Sequence, residues 1–285
     1  SSGALGWMIS EEPFMKYLRE HKIVDMMKLR ASYGEIGDDN LGPDPFDSTR
    51  RWLYMSQWAY GGNTVMDLDH TNSIYTWYRQ NTLGNKDVKW ETVKKTNFGI
   101  DYGFLGGLIT GSLDFFCDRR NDILIFGDNR SIPSYFGTTA PTINKGKVRT
   151  SGYELELKLN KKFANGIRLW GNFNMTHAKN KVLLKDDAQL TPNYQKEAGY
   201  SMGQYRSYID RGFINDIDDL IGSPAHESND NHRLVGDYYI VDFNGDGVVD
   251  SKDSAPVGYS SSPQNTYNAT IGIEYKGFSA FAQFY

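Results

Sequence analysis

The alternation of apolar and polar side chains is clearest between Lys94 and Phe104. There Phe98, Ile100, Tyr102 and Phe104 fall on one side of an extended chain, and Asn97, Gly99, Asp101 and Gly103 fall on the other. A period of two predicts a strand with one apolar and one polar face. Leu105 to Gly107 supplies a turn, after which Ile109, Leu113 and Phe115 oppose Thr110, Ser112 and Asp114, so the two runs read as a hairpin. A second hairpin follows. Tyr153, Leu155, Leu157 and Leu159 alternate with Glu154, Glu156 and Lys158; beyond Ala164 to Gly166, Ile167, Leu169, Phe173 and Met175 alternate with Arg168, Asn172 and Asn174. In a third, Tyr267, Ala269, Ile271, Ile273 and Tyr275 oppose Asn268, Thr270, Gly272 and Glu274, and past Lys276-Gly277 the residues Phe278, Ala280, Ala282 and Phe284 face the same way. A weaker strand over Lys28 to Glu35 sets Leu29, Ala31 and Tyr33 against Arg30, Ser32 and Gly34. Helical spacing is confined to Glu11 to Arg30, where Pro13 suits a first turn before Phe14, Tyr17 and Leu18.

The runs extend over about 9 to 11 residues, the length a tilted strand needs to cross a bilayer and more than the usual soluble strand. Tight turns join the strands of each hairpin, whereas long polar stretches, roughly Ile36 to Val93, Asn121 to Arg149 and Lys179 to Gln264, separate the hairpins. Short turns at one end and long loops at the other are the topology of a transmembrane barrel. A compact soluble domain rarely carries structureless loops of that length. The predicted fold is therefore all-β: residues 1–285 form part of a single antiparallel transmembrane β-barrel domain with long extracellular loops.

Composition sharpens this picture in a few places. With 19 Tyr and 29 Gly in a chain only 39% hydrophobic, the sequence suits twisted strands, tight turns and aromatic girdles at a membrane surface. The net charge of -4, with cations scattered among acids, argues against a nucleic-acid partner. Cys117 is the only cysteine, so no intrachain disulfide and no thiolate metal site is available, and it reads as a buried or lipid-facing thiol. No run of about 18 apolar residues exists to make a helical span, which leaves a barrel untouched because its strands alternate.

Two segments carry candidate chemistry. In Asp242-Phe-Asn244-Gly-Asp246-Gly-Val248-Val-Asp250-Ser-Lys-Asp253, oxygen donors stand at positions 1, 3, 5, 9 and 12, a backbone carbonyl at 7 and glycine at 6, the spacing of an EF-hand calcium loop with Asp in place of the final Glu. The carboxylates of such a loop repel one another without a cation. No calmodulin-like helix follows, so Ca2+ is expected to stiffen an extracellular loop; the competing reading is a solvated acidic turn. The second segment holds Trp52, Tyr54, Trp58, Tyr60 and Trp77, with Tyr75 and Tyr78 beside them. Flat aromatics on outer loops are candidates for stacking on sugars or peptide side chains, although a headgroup belt or plain loop packing has the same sequence pattern. No hydrolytic constellation is visible: His70, His177, His226 and His232 stand near no nucleophile motif, and Glu154 and Glu156 read as charges on a water-filled lumen, so no enzymatic activity is expected.

Several segments resemble one family in order along the chain. Ala4-Leu5-Gly6-Trp7 with Ser10-Glu11-Glu12 and Phe14, then Leu29-Arg30-Ala31-Ser32-Tyr33-Gly34, is similar to the ALGW…LKLRASYG stretch of SusC/RagA-type TonB-dependent transporters. Asn85 to Thr92 followed by Thr96 to Tyr102 resembles their NPDLKWET…TNxGxD signature, and Ser151 to Glu156 matches the (S/N)-(K/R)-G-(F/Y)-E-x-E region loosely. Gly236-Asp237, the calcium-like loop, Gly258, Pro263 and Tyr275-Lys276-Gly277-Phe278 resemble the tail segment. The resemblance implies a barrel of about 22 strands in the bacterial outer membrane. It also implies a SusD-like lipoprotein cap, drive from TonB, and import of oligosaccharides or peptides. It places the plug, the TonB box and the barrel's other strands outside this chain. The alternative classes are a soluble calcium-stabilised carbohydrate-binding β-sandwich, which would bury Phe98, Ile100 and Tyr102 in a core where a barrel shows them to lipid, and, less well supported, a surface glycan hydrolase.

Overall fold

The computed structural model describes residues 1–39, 51–64, 75–130 and 132–285. The chain opens with β1 (Ser2–Met8), two 3-10 turns, the short helix α1 (Lys16–Glu20) and β2 (Val24–Asp38). The hairpin strands β3 (Gln57–Thr64) and β4 (Tyr75–Thr82) follow, then the long strands β5 (Glu91–Phe104), β6 (Ile109–Ile125), β7 (Ile143–Lys162) and β8 (Arg168–Leu184). Next come the short strands β9 (Gln204–Ser207), β10 (Asp210–Phe213), β11 (Ala225–His226), β12 (Tyr238–Ile240), β13 (Val248–Val249) and β14 (Ala255–Ser260), with helix α2 (Ile217–Gly222) among them. The chain ends in β15 (Asn265–Tyr275) and β16 (Phe278–Phe284).

One eight-stranded sheet dominates, in the order β1-β2-β5-β6-β7-β8-β15-β16 with every neighbouring pair antiparallel. Strands adjacent in this meander are joined at one end by tight connections. At the β5–β6 turn Leu105, Gly106 and Gly107 all take positive φ, and the Gly107 N–H donates to the Asp25 carboxylate at 2.8 Å. Between β15 and β16, Lys276 (φ 47°) and Gly277 (φ 89°) form a two-residue turn whose twist matches that of the strands. The α1 connection lies at this same end, because Val24 at the start of β2 pairs with Phe104 at the end of β5. The long connections all leave from the opposite end, as the pattern of the sequence predicts.

The register aligns the two faces across the whole sheet. Trp7, Leu29, Ile100, Leu113, Leu155, Met175 and Tyr267 stand side by side, one from each of seven strands. On the other face, Lys28, Asp101, Ser112, Glu156, Asn174 and Asn268 form the neighbouring row. The apolar face is not a core. Phe98 is 43% exposed, Phe115 46%, Tyr267 60% and Ile271 64%. A continuous apolar surface of this extent marks contact with lipid or with another protein, and among the described residues of the body formed by residues 1–186 and 264–285 the other sheet, β3–β4, does not pack closely against this one. The sandwich alternative is corrected here, since it required that face to be buried.

The polar face is built around a charged network. The Arg30 guanidinium donates to both carboxylate oxygens of Asp101 at 2.9 and 2.8 Å and to Asp114 at 2.9 Å. Gly99 makes room for it: a Cβ there would come within 2.5 Å of an Asp114 oxygen and 2.8 Å of the Arg30 guanidinium carbon. Towards the loop end the polarity of the faces reverses. Val93, Val148 and Val182, which lie on the face that is polar lower down, are buried, as are Ile125, Ala140 and Thr142.

Other expectations are corrected. Only Lys16–Glu20 of the Glu11 to Arg30 stretch is α-helical. Lys22 turns left-handed, and from Val24 onward pairing with β5 overrides a weak local helix preference. Ser2 to Met8 forms a strand that its own alternation did not announce, held by seven register pairs with β2. The central strands are longer than the sequence runs suggest, from 14 residues in β5 to 20 in β7, because they continue past the apolar band into the loops. The Lys179 to Gln264 stretch is not structureless: residues 187–263 form a second compact body holding β9 to β14 and α2.

Candidate functional site

The residues that the sequence marks for chemistry lie in the long connections, the aromatics in the body of residues 1–186 and 264–285 and the acidic loop in the body of residues 187–263. Asn144, at the start of β7, donates through Nδ2 to the carbonyls of Lys89 and Asp122, at 2.7 Å in each case, and accepts from the Lys89 N–H at 2.9 Å. Asn85 donates to the Thr142 carbonyl at 2.9 Å, and Glu91 accepts from the Leu124 N–H at 3.1 Å. The Asn85 to Thr92 motif thus fastens the segment before β5 to the top of β6 and β7. Asp186 closes the same region, ion-paired to Arg130 at 2.8 Å and to Lys145 at 2.5 Å. Burial opposes its ionisation, but these two cations outweigh it and hold the carboxyl below its ordinary range.

Beside this junction lies a cleft of about 510 Å³, lined by Arg51, Tyr54, Lys86, Lys89 and Trp90 with Asp38 among others. Its volume is within the range of small-molecule sites. Trp90, which periodicity did not single out, presents 66% of its surface. The candidate aromatics divide. Tyr54 lines the cleft and packs edge-on to Trp52, with ring centres 6.0 Å apart. In the β3–β4 hairpin, Trp58 pairs with Gln80 and Tyr60 with Tyr78, so Trp58, Tyr60 and Tyr78 share one exposed face. Trp77 falls on the other, where its ring covers Gly61 so closely that a Cβ would meet it at 2.4 Å. Trp77 therefore packs on its own hairpin, while Trp58 is exposed and Tyr60 packs edge-on to Tyr78 and donates its hydroxyl to Asn63. His70 lies outside the described residues.

The acidic loop is ordered chiefly by its own backbone. Asp242 accepts from the N–H groups of Gly245, Asp246 and Gly247 at 2.6, 3.2 and 2.7 Å. Asp253, fully buried, accepts from Phe243 and Asn244 with one oxygen and from Asp250 with the other, at 2.8, 3.1 and 2.8 Å. Lys252 sits 2.7 Å from Asp250 and 3.6 Å from Asp246. Hydrogen bonds from Gly247 first, then from Gly245 and Asp246, hold the Asp242 carboxyl below the usual carboxylate range. Burial, and then the field of Asp253, Asp246, Asp250 and Asp242, pushes the Tyr194 phenol up. The four carboxylates thus act on one neighbourhood, although no three Asp, Glu, His or Cys side chains converge as a complete ligand set among the described residues. Val248, whose carbonyl completes the motif, is held in place by pairing of β13 with β11.

An antiparallel meander with an apolar outer face, a charged inner face and all long loops at one end defines a segment of an outer-membrane-type β-barrel. The chain belongs to the family described as TonB dependent receptor-like, beta-barrel, whose model matches residues 17–283. It is 31% identical over 211 residues to TonB-dependent receptor P39 of Formosa agariphila, covering 73% of this chain and 18% of that protein. It is 26% identical to TonB-dependent receptor SusC of Bacteroides thetaiotaomicron, covering 88% of this chain and 23% of that one. In fold it resembles the solved structure of the RagAB peptide transporter, with a TM-score of 0.67 at 18% identity, over 99% of this chain and 28% of the matched chain. The chain spans well under a third of the length of these relatives.

Proposed function

We propose that this chain forms part of the barrel wall of a SusC/RagA-type transporter in the bacterial outer membrane, importing oligosaccharides or peptides with a SusD-like surface lipoprotein as partner and TonB as the source of energy. The observation that carries the reading is the sheet itself, whose apolar face is exposed across seven strands while its opposite face holds the Arg30 network. Lipid satisfies the first face and a water-filled lumen the second. The open edges β1 and β16 call for partner strands, because unpaired backbone is not tolerated in hydrocarbon. Chemistry follows from positioning: Trp58 and Tyr60 offer flat faces to a sugar ring or peptide side chain, and the cleft at Tyr54 and Trp90 adds charged groups beside aromatic ones.

Cell fractionation of the full-length protein is expected to place it in the outer membrane with a co-purifying lipoprotein; recovery from periplasm or medium would refute the reading. Replacing Trp58 and Tyr60 together with alanine is expected to weaken ligand uptake by roughly tenfold, the effect of losing an aromatic anchor. Unchanged uptake would remove the aromatic face from the binding site.

Calcium belongs to the same proposal. The oxygens of Asp242, Asn244, Asp246 and Asp250 and the Val248 carbonyl would hold a calcium ion if drawn together, with Asp253 joining them only on release from the backbone N–H groups it now accepts from; the ion would neutralise the carboxylates around Tyr194 and stiffen the loop. Adding a calcium chelator to the full-length protein is expected to speed proteolytic cleavage near Asp246, and Asp242→Ala is expected to abolish that dependence. Cleavage at the same rate with and without calcium would leave Lys252 and the backbone as the only counter-groups.

A further inference from the structure

The register of the central strands carries a charge pattern that transport itself does not use. Lys94 of β5 stands directly opposite Arg119 of β6, Arg119 opposite Arg149 of β7, and Arg149 opposite Lys181 of β8. All four lie on the apolar face, four residues beyond the row of Phe98, Phe115, Tyr153 and His177, or about 13 Å along the strands. No bulge interrupts the strands between the two rows, so the placement follows from alternation alone. Each of the four is exposed. Among the described residues none of them forms an ion pair or a side-chain hydrogen bond, whereas their inward neighbours Lys95 and Arg120 do. Glu35 on β2 flanks Lys94 at the end of the row without an ion pair to it.

Like charges facing one another across strands are destabilising, with Cβ atoms about 5 Å apart. A row of four has a use only where an anion is at hand. Its position says which anion. Below the row, the outer face is apolar and exposed; at its level Val93, Val148 and Val182 are buried on the inner face, and the outer positions between are the uncharged Thr96, Cys117 and Ser151 on β5 to β7, with the exposed Lys179 beside them on β8 adding a further cation. The apolar band therefore ends just beneath the cations, where a bilayer changes from hydrocarbon to headgroup. Strand tilt makes the row climb by about 9 Å across its four strands, similar to the depth of the headgroup layer. Long Lys and Arg stems accommodate such a spread.

We propose that Lys94, Arg119, Arg149 and Lys181 form a belt that binds the phosphate-bearing headgroups of lipids in the leaflet at the loop end of the barrel. The proposal rests on the reading that the apolar face is in lipid. Arginine forks suit phosphate oxygens in pairs, and the two lysines add point charges at the belt's ends. The belt would fix the height of the barrel in the membrane and give it a shell of anionic lipid.

The test uses the full-length protein in vesicles of phosphatidylcholine containing phosphatidylglycerol, with spin-labelled versions of each lipid reporting which is held at the protein surface. The wild type is expected to select labelled phosphatidylglycerol over phosphatidylcholine by at least roughly fivefold, the preference one basic residue gives at a charged surface, and to lose it in high salt. The variant K94Q/R119Q/R149Q/K181Q is expected to select neither lipid. Should it fail to fold, K94Q/R149Q leaves alternate positions neutral and is expected to show an intermediate preference. Equal selectivity in wild type and variants overturns the proposal. So does a wild type that prefers neither lipid while the variants lose a co-purifying lipoprotein, which would assign the row to an acidic protein surface. Absence of any immobilised lipid would instead overturn the transmembrane reading, so the two failures are distinct.

Discussion

Ile100→Arg is expected to cost about 2–4 kcal/mol of stability for the full-length protein folded in a bilayer, the penalty of a cation at mid-membrane on the lipid face of a barrel. Ile100 is in the central one of the apolar rows, flanked by Leu29 and Leu113 across the strands and by Phe98 and Tyr102 along its own. An arginine there has no acceptor within reach and must bend towards the headgroups or carry water inward. Ser112→Arg is the control. It adds the same side chain one row away on the opposite face, where Ser112 stands between Asp101 and Glu156. There it meets carboxylates and water, and the change is expected to stay within about 0.5 kcal/mol. Denaturant unfolding of both variants in lipid vesicles measures the difference. Equal costs would mean that the two faces do not differ in solvent, and the transmembrane reading would not survive that result.

The contrast between these positions was legible in the sequence because period-two alternation is a local property. Phe98, Ile100, Tyr102 and Phe104 announce their shared face without any partner strand, and the pairing with Leu113 and Phe115 follows from a tight turn. Features that depend on distant segments were not legible. The Ser2–Met8 strand is held by β2, its alternation being too weak to stand alone. The role of Asn144 as a clamp on Lys89 and Asp122 involves residues 55 and 22 positions away. The candidate aromatics were found as a group because Trp and Tyr crowd together in the chain, but only the β3–β4 register shows that Trp77 turns away from Trp58 and Tyr60. The basic row is the same lesson in another form. Lys94, Arg119, Arg149 and Lys181 are scattered in the sequence and become a row only when four strands are aligned. In the acidic loop the spacing was visible, and the structure adds that Asp253 is the buried member of the set.

The second large effect is expected at Arg30. This residue joins three strands through side chains alone, bridging Asp101 of β5 and Asp114 of β6 from β2. Removing it by Arg30→Met leaves two carboxylates close together beneath Gly99, with Lys28 opposite Asp101 as the cation left in that row. Breaking a fully buried pair costs about 3–5 kcal/mol, but the side chains of Arg30, Asp101 and Asp114 are 35%, 24% and 15% exposed, so water and salt reduce the loss to about 2 kcal/mol. Arg30→Lys is expected to lose about half of that, because a single ammonium cannot satisfy Asp101 with two parallel bonds and reach Asp114 as well. The decisive variant combines Arg30→Met with Asp101→Asn and Asp114→Asn. If the cost of Arg30→Met is mainly that of stranded carboxylates, this triple change is more stable than Arg30→Met alone. If the triple variant is the least stable of the three, the network contributes net attraction. It then acts as a positive brace across β2, β5 and β6.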